Sequence, residues 1–115
     1  MRKVLNPGQL SESALQSIQN FHPDSVNAVE AAIQSNKFVV VGMKANPFVK
    51  KARTLLKESH IDFKYIEYGS YLSKWRERLA LKLWSGWPTF PMVFIDGKLI
   101  GGFKELKAWS AQNKN

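Results

Sequence analysis

The run Phe38-Val39-Val40-Val41 constrains the fold more than any other segment. Its residues are β-branched or aromatic and do not alternate with polar ones, so a strand built from them needs a covering layer on each face. A helix pattern begins almost at once afterwards. Asn46 is a strong N-cap residue, Pro47 suits the first helical position, and Phe48, Ala52, Leu55 and Leu56 recur at helical spacing. The stretch from Ile61 to Ile66 alternates apolar and polar side chains and reads as a second strand. A strand, a helix and a strand in this order predict a right-handed crossover with the two strands parallel.

The flanks extend this unit. Leu10, Ala14, Leu15 and Ile18 fit one face of a helix capped by Ser11 or Ser13, which reads as an added N-terminal helix within residues 1–24. His22-Pro23 breaks that pattern, and Asp24 is the expected N-cap of a helix carrying Val26, Val29, Ala32 and Ile33 and ending near Asn36. Further on, Leu72, Trp75, Leu79 and Leu83 share one face of a third helix, with Lys74, Arg78 and Lys82 expected on its outer, basic face. Ser85-Gly86-Trp87-Pro88 ends it. Met92 to Ile95 and Lys98 to Ile100 flank Asp96-Gly97, a two-residue hairpin signal. Gly101-Gly102 permits a close turn into a last helix with Phe103, Leu106 and Trp109. The four tryptophans are expected to supply core area, and an exposed one would mark a partner surface.

At 115 residues the chain can bury a core as one domain without staples. No stretch approaches the ~20 apolar residues of a membrane helix, so no membrane association is expected. Asn6-Pro7-Gly8 interrupts the apolar run that an export signal needs, which makes a cytoplasmic location the expectation. There is no cysteine, which removes disulfides, thiolate metal sites and thiol nucleophiles together. His22 and His60 have no acidic partner at metal-site or triad spacing, and Asp62, Glu67 and Asp96 fall at strand ends or the turn. Neither a catalytic residue nor a metal site is expected. The charge of +8 would draw anions, though cations also hydrate helix faces. Lys50, Arg53 and Lys57 with the basic third helix, and Tyr65, Tyr68 and Tyr71 as stacking groups, raise nucleic acid as a partner. Those tyrosines straddle a strand end rather than forming a platform, so nucleic acid is not expected.

This order of elements resembles the glutaredoxin branch of the thioredoxin fold, and the motifs carry the resemblance. Val39 to Ala52 is similar to the glutaredoxin strand, lysine, Cys-Pro-Tyr-Cys turn and basic helix, with Asn46 and Val49 at the two cysteine positions. Trp87-Pro88-Thr89-Phe90-Pro91 is similar to a segment of monothiol glutaredoxins, and Gly97 to Gly102 resembles their Gly-x-x-x-Gly-Gly. The likeness spans roughly residues 26 to 110, within a domain taken as 25–115. It implies an α/β thioredoxin-like fold with a four-stranded mixed sheet flanked by helices, an extra N-terminal helix, and a cis peptide before Pro91. It further implies a degenerate glutathione groove from Lys44, Asn46, Phe48, Thr89, Phe90, Pro91 and Gly102, joined by Phe103 and Lys104.

Two departures weaken that ligand. Lys44 stands two residues before Asn46 rather than three, and Phe103-Lys104 replaces the pair whose carboxylate meets the ammonium of glutathione. The turn cysteine that would ligate an iron–sulfur cluster is also replaced. The expected role is therefore a non-catalytic module without a resident cofactor, holding a protein partner, a small anionic ligand or, weakly, glutathione. The rival is an oxidoreductase or transferase-like enzyme that uses the thiol of bound glutathione.

Overall fold

A computed structural model describes residues 2–113. After a short 3-10 turn at Pro7–Gln9 come α1 (Glu12–Gln19), α2 (Pro23–Ser35), β1 (Phe38–Gly42), α3 (Pro47–Glu58) and β2 (Lys64–Glu67). They are followed by α4 (Trp75–Ser85), β3 (Met92–Ile95), β4 (Lys98–Gly101) and α5 (Phe103–Gln112). The strands form one sheet in the order β2-β1-β3-β4. β1 runs parallel to β2 and antiparallel to β3, and β3 and β4 form the hairpin.

β1 lies inside the sheet and is buried along its length, as its unbroken apolar run requires. Val39 and Val41 join Val29, Leu81, Met92 and Phe94 under α2 and α4. Phe38 and Val40 face the other way, into Ala52, Leu56, Val93 and Leu106 under α3 and α5. Successive β1 side chains thus feed two cores. Among the described residues no helix is long and apolar enough to cross a membrane.

Three local expectations are corrected. α2 begins at Pro23, so His22, in the left-handed region with φ 47, takes the N-cap place and Asp24 sits in the first turn, where its charge suits the helix dipole. Proline's fixed φ makes it the better first helical residue. β2 starts at Lys64 rather than Ile61, because its only strand neighbour is β1 and the first parallel pair is Val39 with Lys64.

The third correction concerns the phase of α4. Leu72 is 96% exposed, Trp75 55% and Leu83 66%, whereas Arg78 is only 7% exposed and Leu81 is fully buried. The helix starts at Trp75, after Lys74 in the left-handed region, so Leu72 lies in the preceding turn. Arg78 points inward and donates from Nη1 to the Tyr68 carbonyl at 2.8 Å and the Ser73 carbonyl at 2.6 Å. A buried guanidinium is tolerable because these bonds satisfy it, and the same bonds satisfy carbonyls of the turn between β2 and α4. The apolar set expected to pack inward therefore faces solvent, and the expected outer basic face is broken at its middle residue. Trp75 is likewise not core.

Candidate functional site

β1 delivers the chain to the start of α3 through a short loop pinned to the next one. Tyr68 N donates to the Gly42 carbonyl at 2.9 Å, and Lys44 N donates to the Gly69 carbonyl at 2.7 Å. Asn46 then caps α3: its Oδ1 accepts from the amides of Phe48 at 2.9 Å and Val49 at 3.1 Å. Its Nδ2 reaches across to the Phe90 carbonyl at 3.4 Å, in the segment whose Phe90–Pro91 peptide is cis. One amide side chain thus satisfies helix donors and ties α3 to the strand approach opposite. Val49 is buried against Gly42, where a Cβ would come within 2.5 and 2.9 Å of the valine methyls. It is a packing residue.

In front of Asn46 lies a cleft of about 630 Å³. It brings together Asn46, Phe48, Thr89, Phe90, Pro91 and Gly102 of the expected groove, along with Phe103 and Lys104. Phe90 is 6% exposed and fills the floor, while Phe48 is 53% exposed at the rim. Lys44 lies elsewhere. Ala45, with φ 63, turns the chain, and Lys44 lines an adjoining cleft with Lys50, Arg53, Tyr65 and Glu67.

Gly101 and Gly102 let α5 approach the cis segment. Gly101 has φ 129, and a Cβ on Gly102 would stand 3.3 Å from the Pro91 carbonyl. Glu105 turns its carboxylate back to accept from Gly102 N at 2.9 Å. With that carboxylate and the Arg78 guanidinium both held by backbone, Lys82 and Lys104 supply the free charge of the cleft. Neither forms an ion pair among the described residues. Lys82 Nζ lies 5.7 Å from the centre of the Phe90 ring. Beside Gly102, the buried Nε1–H of Trp87 finds no hydrogen-bond acceptor among the described residues.

Lys82 and Trp87 were not foreseen as cleft residues. The Trp-Pro motif marks the position of Trp87, but only the phase of α4, set with Arg78 inward, brings Lys82 to the cleft wall.

In the adjoining cleft the Arg53 guanidinium carbon lies 3.9 Å from the Tyr65 ring centre, and Tyr65 OH donates to Glu67 Oε1 at 2.9 Å. Burial first, then the bond to Glu67, push the Tyr65 phenol from 10.0 up to about 12. Because the folded value is the higher one, this stabilisation is complete below about pH 10 and is lost as pH rises to about 12. A tyrosinate absorbance titration of the native chain should resolve one phenol ionising near 12, and Tyr65→Phe should remove that step.

An Asn-capped helix facing a cis-proline segment across a cleft, on a β2-β1-β3-β4 sheet, defines a thioredoxin-like α/β domain. Residues 38–100 match the glutaredoxin family profile. The chain is 50% identical over 101 residues to a glutaredoxin-like protein of Dictyostelium discoideum, covering 88% of this chain and 80% of that one. It is 33% identical over 99 residues to monothiol glutaredoxin-S17 of Arabidopsis thaliana; the match covers 79% of this chain and 16% of that protein. Wheat glutaredoxin superposes with a TM-score of 0.68 at 29% identity, over 80% of this chain and 85% of that one. A buckwheat glutaredoxin–glutathione complex shares the fold with a TM-score of 0.70 at 22% identity, over 84% and 87% of the two chains. The chain belongs to the glutaredoxin family.

Proposed function

We propose that this chain, with residues 25–115 as its working domain, is a glutaredoxin-like binding module that carries out no thiol-disulfide exchange of its own. Its cleft takes a small anionic, glutathione-like ligand or an acidic peptide. The observation that carries this reading is a cleft whose free charges are Lys82 and Lys104, neither paired with an acid among the described residues. Asn46 already occupies the amides of Phe48 and Val49, so the anion is held from the cleft wall rather than by the start of α3. Without cysteine the chain has no thiolate to attack a disulfide.

Glutathione is the first probe, since a buckwheat neighbour carries it. Lys104 would face the ligand ammonium, so N-acetylglutathione, which lacks that charge, should bind more tightly than glutathione. The expected result of an amide-shift titration is movement at Asn46, Phe48, Phe90 and Gly102. Lys82→Met removes one of the cleft's free charges and should weaken binding about tenfold, the worth of one charge-assisted hydrogen bond. Silence at these amides with both compounds at millimolar concentration would overturn the reading, as would glutathione-dependent disulfide reduction proportional to the amount of pure chain.

A further inference from the structure

α4 carries apolar side chains that the fold does not use. Trp75, Leu79 and Leu83 are exposed and together span roughly 80° of the helix circumference, with exposed Leu72 just ahead of them. Next to this ridge runs an apolar groove of about 610 Å³, walled by Leu79 and Leu83 and, from α1 and α2, by Ile18 and Val26. Contiguous exposed apolar surface rimmed by polar residues is a mark of an interaction site.

The charges beside the ridge are of one sign. On the helix circumference Lys82 falls just outside one edge and Arg76 just outside the other. Neither forms an ion pair among the described residues, and the Arg76 guanidinium stacks 5.0 Å from the Trp75 ring centre. The only acid of α4, Glu77, lies away from the ridge, 3.5 Å from Lys74 and 3.9 Å from His22.

We propose that this ridge and groove dock an acidic amphipathic helix of a partner protein. Apolar anchors at helical repeat fit the ridge, and glutamates beside them meet Arg76 and Lys82. A second copy of this chain fits poorly. A two-fold contact would bring the same cations together on a molecule of charge +8. The site is independent of the cleft, apart from Lys82, which stands between the two.

The test uses the full chain and two synthetic helical peptides with the same leucine stripe, one flanked by glutamate and one by lysine. The glutamate peptide should bind at least tenfold more tightly, blue-shift the Trp75 emission, move amides across residues 75–83 and at Ile18, and weaken with added salt. Leu79→Glu with Leu83→Glu should abolish binding and leave the circular dichroism that of a folded chain. Should that variant misfold, Arg76→Glu must by itself erase the preference for the glutamate peptide. Equal binding of both peptides would overturn the proposal, as would shifts confined to the cleft. So would self-association that the double variant abolishes, or tighter partition onto phosphatidylserine vesicles than onto the glutamate peptide.

Discussion

Asn46→Cys is expected to give this chain a thiol that ionises well below free cysteine and, with it, glutathione-dependent disulfide reduction. The amides of Phe48 and Val49, which now donate to Asn46 Oδ1, would face the sulfur. A thiolate at a helix start is stabilised by those donors and by the helix dipole, and such positions bring the pKa from about 8.5 to roughly 3.5–7.5. The readouts are the pH dependence of alkylation rate and the turnover of a mixed glutathione disulfide. Asn46→Ser keeps a capping oxygen without an ionisable sulfur and should stay at background in both. Losing the asparagine cap should cost about 1 kcal/mol, leaving the variant folded. Val49→Cys should not become reactive in the same way, because Val49 is buried against Gly42. A cysteine at position 46 that titrates like the free amino acid would mean that the start of α3 does not present its donors as described.

Arg78→Met should produce a large loss of stability. The native guanidinium is buried and donates to the carbonyls of Tyr68 and Ser73, which hold the turn ahead of the helix. Hydrogen bonds to a charged donor contribute about 1.5–3 kcal/mol each, and methionine replaces the volume but neither bond. Allowing for the desolvation of the charge that methionine avoids, a net loss of about 3 kcal/mol is expected. For a domain of this size that corresponds to a Tm lower by roughly 10 °C. Arg78→Lys should recover only part of it, since an ammonium on a shorter stem does not reach both carbonyls from the place of Nη1. An unchanged Tm in the methionine variant would mean that Leu81 and Trp84 alone set the phase of α4.

Much of the architecture was legible because local chemistry leaves few choices. An unbroken β-branched run must be covered on both faces, and β1 is. Asn46-Pro47 is a helix start whatever follows, and Asp96-Gly97 between two apolar runs is a hairpin. The segment from Trp87 to Pro91 and the glycines before α5 indicated which elements meet at the cleft, and most of the expected groove residues line it. Lys44 is the exception, since a single residue of left-handed backbone at Ala45 sends it to the neighbouring cleft.

By itself the sequence determined the absence of any thiol, the two-sided burial of β1 and the capping of α3 by Asn46, because each rests on residue type and nearest neighbours in the chain. The tertiary structure alone decided which face of α4 is buried. The helix has apolar residues on both sides, and the buried side is the one whose Leu81 and Trp84 join the core and whose Arg78 meets the carbonyls of Tyr68 and Ser73, partners that the chain brings together only in the folded state. That one rotation places Lys82 in the cleft and leaves Trp75, Leu79 and Leu83 facing solvent.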